Sequence, residues 1–472
     1  MLIGRKKEIE QLEMAFGSKK SEFVAIYGRR RIGKTFLVRE TFKNGFTFQY
    51  TGIYNVPNKV QLQEFHKSLI KQGLGNEEPA PSDWFDAFHL LENLIENSRE
   101  KRKVIFIDEL PWMDRKNSRF LSAFEHFWNG WASARKDILL LICGSASSWI
   151  INKIFRNRGG LYNRVTQRIH LHQFSLKECE ALARSLRLPA TRNHLMETYM
   201  AIGGVPYYWT RLSPRKSLPQ NINDLFFKED AELKGEFRYI YSSMFSNPEK
   251  YIMVVEALSG KKSGLTRDEI IAKTGLGSNG QLTTILEDLA ECGFIRKYCN
   301  LNKNVRDALY QLVDLFTLFY YRFIIKAKNS DEEYWLRIMG THGYNVWCGL
   351  AFEKVVLLHV SQIKKALGIG GINANVFSWH VKPTEFHPGT QIDLLIDRAD
   401  NIIDVCEIKY APNGYRLTAA SLDNLKTKRS VLSRYVSPSK FLELVLITSN
   451  GVQQNKYSHE IALTVSGEQL FE

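Results

Sequence analysis

The sequence predicts an α/β protein of several domains, and three observations carry that expectation. Short apolar runs alternate with helical patterns, a glycine-rich loop joins one such run to a helix, and two strand-like runs around a tight turn follow an apolar helix near the C-terminus. The chain has 472 residues, enough for about three domains at roughly 150 residues each. Its 44% hydrophobic and 24% charged residues fall in the ordinary globular range and not the disordered one.

The first predicted strand, Ser21–Tyr27, runs into Gly28-Arg29-Arg30-Arg31-Ile32-Gly33-Lys34-Thr35 and then the helix-forming FLVRETF. This is GxxxxGK[ST] in a strand–loop–helix setting, where backbone amides and the positive end of a helix receive phosphates. Lys34 would neutralise β- and γ-phosphates of ATP, and Thr35 would offer its hydroxyl to Mg²⁺. The apolar run 104–107 ends in Asp108-Glu109. Asp108 suits a Mg²⁺ ligand, and Glu109 suits a base that polarises the attacking water. Residues 46–51 read as an extra strand between the two phosphate-site strands. The next run, 138–143, leads to Gly144-Ser145. Ser145 is placed to sense the γ-phosphate or attacking water, or else serves as a turn or cap serine. Between residues 138 and 176 stand Lys153, Arg156, Arg158, Arg164 and Arg168 with no acid. Arg164 is the candidate arginine finger, in cis or from a neighbouring subunit, against a solvated or anion-binding face.

These motifs resemble the archaeal-type AAA/STAND-like ATPases that carry a nuclease-like C-terminal domain. The resemblance rests on Ile3-Gly4-Arg5 with its Glu8/Glu10 helix, residues 28–35, Asp108-Glu109, Cys143-Gly144-Ser145 and Gly203-Gly204-Val205-Pro206. It implies Arg5 near the adenine and Pro206, from a small helical lid, against the nucleotide.

After an ATPase core over residues 1–170, residues 171–245 alternate helical patterns with turns at Leu188-Pro189, Ser213-Pro214 and Leu218-Pro219, and read as a helical lid and linker. Residues 246–312 read as a winged helix-turn-helix. Its helices are 251–258, 266–274 and 278–292, the last capped by Ser278 or Asn279, and its hairpin is 293–298 with 308–312. Gln281, Thr283 and Thr284 face DNA as candidates, with Arg296, Lys297, Lys303 and Arg306 as a basic wing; protein docking is the other role. The apolar stretch Ala308–Ile325 carries Gln311, Asp314, Thr317 and Arg322, which favours a buried helix over a membrane span. Residues 313–340 would be a connecting helix.

Residues 341–472 carry a second constellation. The apolar helix 345–360 bears Glu353; one strand bears Asp393; the next bears Glu407 and Lys409 on one face. A hairpin centred on Asp400 would set Asp393 opposite Glu407, about 5 Å apart at Cβ. Close carboxylates require a cation, and hard oxygens suit Mg²⁺ or Mn²⁺. Lys409 would orient a water or stabilise a pentacovalent phosphate. This pattern resembles the PD-(D/E)xK nucleases and implies a restriction-endonuclease-like fold, although Gln391-Ile392 replaces the proline expected before the acid. His380 and His387 lack metal-ligand spacing.

The net charge is +14, and most of it belongs to the first segment. Residues 1–170 hold 28 basic and 18 acidic side chains, whereas residues 246–312 hold 9 and 8 and residues 313–472 hold 17 and 16. Any DNA contact would therefore draw on the ATPase surface. Six cysteines without a CxxC and an N-terminus without an apolar core predict a reduced, cytoplasmic protein off the membrane. The functional expectation is an ATP-hydrolysing switch or motor acting on DNA and coupled to a metal-dependent nuclease-like domain, alone or as a homo-oligomer. The alternative is an ATP-gated, STAND-like regulator or scaffold whose winged helix and inactive C-terminal fold only bind DNA or protein.

Overall fold

The computed structural model describes residues 2–43, 45–156, 159–298, 308–328 and 331–472. Arg158, Cys299, Lys303 and Arg306 lie outside the described residues. The chain divides into two compact units, residues 1–173 with 240–248, and residues 174–239 with 249–472.

The first unit is built on a parallel sheet of β1 (Glu22–Tyr27), β2 (Phe48–Thr51), β3 (Lys103–Asp108), β4 (Ile138–Cys143) and β5 (Gln167–His170), in the order β2-β3-β4-β1-β5. Strands β3 and β4 are buried throughout, as expected of a parallel sheet covered on both faces. One face packs on an aromatic-rich core including Phe65, Trp84, Phe88 and Phe124. The other meets the helices Lys6–Gly17 and Lys34–Phe42 through Leu12, Leu37 and Val38. The strand between the two phosphate-site strands is β4; the run expected there forms β2 at the sheet's edge beside β3. Its alternating buried and exposed residues fit that place, with one face turned to solvent.

The second unit begins with helices. Leu218–Phe226 is one of them, with Ser217 and Gln220 forming a capping box. Pro219 therefore opens a helix instead of a turn, since the first helical turn lacks amide partners anyway. Helix Leu176–Ser185 is tied to helix His342–Leu358 through His359. The Leu176 amide donates to Nε2 at 3.0 Å, so Nδ1 carries the hydrogen and donates to the Val355 carbonyl at 2.7 Å. Burial holds this imidazole's pKa down to about 4.

Helices Pro248–Ser259, Arg267–Thr274 and Gly280–Glu291 follow, with an antiparallel sheet of β6 (Leu265–Thr266), β7 (Ile295–Tyr298) and β8 (Leu309–Leu312) in the order β6-β8-β7. Thr266 and Glu269 form a capping box on the second helix, and Asn279 caps the third, each worth about 1 kcal/mol. The stretch Ala308–Ile325 is not one helix. Its start pairs as β8, and Asp314 accepts from the Thr317 amide to begin a new helix, Leu315–Arg322. An apolar run does not distinguish strand from helix, and here the polar cap decides. The expected single connector over residues 313–340 is accordingly two α-helices with a 3₁₀ turn, Leu315–Arg322, Ile324–Lys326 and Tyr334–Ile338.

The C-terminal sheet comprises β9 (Ala374–Val381), β10 (Thr390–Arg398), β11 (Ile402–Lys409), β12 (Phe441–Thr448) and β13 (Leu463–Ser466), in the order β13-β12-β11-β10-β9. Strand β10 is antiparallel to both β9 and β11, and β11–β13 are parallel. Helix His342–Leu358 packs against β11, and helix Ala419–Ser433 against β10 and β12. Among the described residues no single helix is long and apolar enough to cross a membrane.

Candidate nucleotide site and C-terminal carboxylates

The phosphate loop starts where β1 ends. Gly28 has φ 138°, and a Cβ there would run into the Leu171 carbonyl, so glycine is required. Arg31 (φ 67°) and Gly33 (φ 91°) are also left-handed and bring the chain back over the helix Lys34–Phe42. No side chain caps that helix start, which leaves its first amides to an anion. Lys34 is buried, and its ammonium donates to the Gly28 carbonyl at 2.8 Å and the Arg29 carbonyl at 2.9 Å.

The acids stand on the neighbouring strand. Asp108, at the end of β3, is 4% exposed; it accepts from Thr35 Oγ1 at 2.8 Å and the Cys143 thiol at 2.6 Å. Burial and the Asp108 carboxylate push the Cys143 pKa well up, so the thiol keeps its hydrogen and acts as donor. Glu109 has left-handed backbone, φ 48°, which turns its carboxylate toward β4. There Oε2 accepts from the Ser145 amide at 2.8 Å and hydroxyl at 2.9 Å. Burial raises the Glu109 pKa against the opposing effect of the Ser145 amide.

The C-terminal acids are held by ammonium groups. The β10–β11 ladder pairs Leu394 with Cys406 and Asp397 with Ile403, the register that sets Asp393 level with Glu407. Their carboxylates nevertheless have different partners. Lys262, from the loop before β6, lies 2.5 Å from Glu353 Oε1 and 3.5 Å from Asp393 Oδ2. Glu407 is paired with Lys409 at 2.8 Å and Lys428 at 2.7 Å. Burial and the Asp393 charge raise the Glu353 pKa. Burial works against the Lys262 ammonium, but the two carboxylates outweigh it and raise its pKa. Among the described residues no group of three His, Cys, Asp or Glu side chains is placed to hold a metal ion. The three acids expected at one centre thus divide into a pair and a single residue.

One residue of the expected basic wing, Arg296, is likewise used internally. Arg296 donates to Gln311 at 2.6 Å and Ser378 Oγ at 2.5 Å, and burial lowers its pKa to about 10. Gln281, on the helix expected to face DNA, accepts from Lys250 at 2.8 Å. His387 contacts the Tyr435 hydroxyl at 2.6 Å, and His380 sits in β9.

Residues 2–212 match the ATPase_2 family, an ATPase domain predominantly from Archaea. The match takes in the phosphate loop, Asp108-Glu109 and Ser145, and spans a little under half of the chain. An uncharacterized protein of Methanocaldococcus jannaschii is 26% identical over 401 residues, covering 84% of each chain. Among solved structures, a Walker-type ATPase of Pyrococcus abyssi is similar at 16% identity and a TM-score of 0.48, covering 68% of this chain and 96% of its own. The ORC2 protein of Aeropyrum pernix is similar at 15% identity and a TM-score of 0.40, covering 68% and 94%.

Within the first unit, Arg5 is buried and donates to the Ile32 carbonyl at 3.2 Å and the His172 carbonyl at 2.7 Å. It therefore braces the phosphate loop against the chain leaving β5. Arg29 is buried, whereas Arg30 and Arg31 are half-buried. Arg164 is exposed in the turn before β5, and no hydrogen bond or ion pair joins it to the described residues of the phosphate loop. Pro206 opens a short helix, Pro206–Trp209, in the second unit. Two side-chain roles are not legible in the sequence. Ser147 accepts from the Gly28 amide at 2.9 Å, and Cys143 is a donor to Asp108. The serine-rich run after β4 was the available signal for the first.

Proposed function

We propose that the protein is an ATP-hydrolysing switch that acts on DNA and carries a nuclease-like C-terminal domain. The observation that carries the first half is Glu109 held on Ser145 beside the Thr35–Asp108 pair, with Lys34 in the loop beneath. Buried Asp108 has neutral donors, and its oxygen already lies 2.8 Å from the Thr35 hydroxyl; such a hard-oxygen pair fits Mg²⁺. Mg²⁺ bound there would neutralise charge on the β- and γ-phosphates. The amides of residues 28–35 cradle the phosphates, and Lys34 exchanges its two carbonyl partners for phosphate oxygens. Glu109 then leaves Ser145 to orient the attacking water. Arg5 borders the nucleotide in this reading, and Arg164 supplies the finger, from the same chain or a second copy.

The DNA-acting half rests on the Asp393, Glu407 and Lys409 strands with Glu353 on the adjoining helix. Residues 246–312 act as a winged helix in this reading. Glu353 and Asp393 already share one cation, and two carboxylates are a donor set that Mg²⁺ or Mn²⁺ accepts. The decisive experiment is a nicking assay on DNA and RNA, with and without ATP, comparing wild type with Lys409→Ala. Cleavage that depends on Mg²⁺ or Mn²⁺ and is lost in the variant is expected. No cleavage by wild type with ATP present would eliminate the nuclease half.

A second reading, an ATP-gated regulator or scaffold whose C-terminal domain only binds, is favoured by one observation. Lys262, Lys409 and Lys428 already compensate all three acids. Retained DNA binding without any cleavage would select it.

A further inference from the structure

The basic surplus of residues 1–170 has a local concentration on the first unit. Three loops lead into the starts of neighbouring strands, residues 18–21 before β1, 98–102 before β3 and 135–137 before β4. Adjacent strands lie roughly 5 Å apart, and one side chain ties the loops together. Arg102 donates through Nη1 to the Lys20 carbonyl at 2.9 Å and the Lys136 carbonyl at 3.1 Å. Its Nη2 donates to the Ala15 carbonyl, near the end of helix Lys6–Gly17, at 2.8 Å. Ser21 Oγ donates to the Arg135 carbonyl at 2.8 Å, and the Lys103 amide to the Asp137 carbonyl at 2.8 Å. The three loops are thus fixed against one another as one rim of the sheet.

Two features set this rim apart from an ordinary solvated face. Its cations are unengaged. Lys19, Arg99, Lys101 and Lys136 are exposed, and no ion pair or side-chain hydrogen bond reaches them among the described residues. Its acids, by contrast, are taken up within the rim. Asp137 is held by Arg135 at 2.9 Å and Lys103 at 3.0 Å. Glu100 accepts from the Thr47 hydroxyl, and Glu96 accepts from the Trp131 indole at 3.2 Å. Glu22, 5% exposed, accepts from Ser18 Oγ at 2.8 Å and lies 3.8 Å from Lys20. Clustered cations without counter-charges favour a ligand with many phosphates, because each contact releases a condensed counterion.

The rim lies at the opposite ends of the strands from the phosphate loop and Asp108. A six-residue strand such as β1 spans about 20 Å, so a polymer on the rim leaves the nucleotide site open. The three loops carry no large apolar side chain, so they offer a bilayer charge without an anchor.

We propose that this rim is a sequence-independent contact for the phosphate backbone of duplex DNA. Lys19, Lys101 and Lys136 make the contacts, and Arg102 positions their loops. Lysines are point charges that hold phosphates and do not read bases. The proposal rests on the reading of the protein as one that acts on DNA. Met14 and Phe16, exposed on either side of Ala15, make an anionic membrane the competing surface.

The test is fluorescence anisotropy of the full chain on a labelled duplex over a series of salt concentrations. Lys19→Gln, Lys101→Gln and Lys136→Gln combined should weaken binding about 10²-fold near 0.1 M salt, and flatten the salt slope by about one per lysine. Lys59→Gln, Lys71→Gln and Lys116→Gln combined remove the same charge from exposed positions elsewhere and should cost less than about threefold. ATP turnover of the rim variant without DNA should match wild type. Unchanged affinity and slope in the rim variant would overturn the proposal and leave the DNA reading standing. Equal losses in the two variants would overturn it too, by making net charge the cause. No duplex binding by wild type would remove the DNA reading itself, and the proposal with it. Sedimentation with phosphatidylserine vesicles that the rim variant loses while it keeps its DNA affinity would assign the rim to a membrane instead.

Discussion

Two groups of acidic side chains in the molecule are compensated in opposite ways. In the first unit, Asp108 and Glu109 are held by neutral donors, the Thr35 hydroxyl, the Cys143 thiol, and the Ser145 amide and hydroxyl. In the C-terminal sheet, Glu353, Asp393 and Glu407 are held by the ammonium groups of Lys262, Lys409 and Lys428. Neutral donors orient a carboxylate but leave its charge available to an incoming cation. An ammonium removes that availability until it is displaced. The first site therefore leaves its negative charge open to an incoming cation, whereas the second is self-neutralised.

The largest expected effect lies in the first region. Lys34→Ala should lower ATP turnover by more than about 10³-fold, since it removes the positive charge over the phosphates in a dry site. A phosphate-release assay that still registered a tenth of wild-type turnover would break the assignment of this loop. Glu109→Gln keeps the Ser145 contact available but removes the base. We expect turnover to fall by about 10²–10³-fold while ATP affinity, from equilibrium titration, stays within about threefold. Loss of affinity instead would mean that Glu109 shapes the pocket.

Lys262→Met tests the second region. Mn²⁺ titration followed by electron paramagnetic resonance should show affinity at Glu353 and Asp393 rising by about tenfold, the scale of one close charge pair. Adding Asp393→Asn should abolish the gain. An unchanged Mn²⁺ affinity would show that the ammonium is not what neutralises the pair. The smallest effect belongs to Ser145→Ala. The amide still holds Glu109, so turnover should drop only about 3–10-fold, the worth of one hydrogen bond; a loss as large as that of Glu109→Gln would give Ser145 a direct part in the chemistry.

Much of the nucleotide site was legible because its parts are local. Residues 28–35 are contiguous, and Asp108-Glu109 ends a buried strand, so motif and periodicity locate both without knowledge of the packing. The β10–β11 register was legible for the same reason, since a tight turn at Asp400-Asn401 sets it within a few residues. Where composition alone had to decide, it fell short. The stretch 308–325 is equally apolar as strand or helix, and only pairing with β7 and the Asp314 cap separate the two. The edge position of β2 was illegible too, because strand order depends on which crossovers pack.

By itself, the sequence determined the α/β P-loop fold of the first unit, its glycine-rich loop and the place of Asp108-Glu109 at a strand end, because these depend on adjacent residues and on hydrophobic period. Only the tertiary structure decided what each charge faces. Lys262 meets Asp393 across 131 positions of sequence, and Arg296 meets Ser378 across 82. Such partnerships depend on how separate elements pack in three dimensions. Electrostatic energy depends on distances of a few ångströms and on burial, neither of which is a property of the residue's own neighbours in the chain.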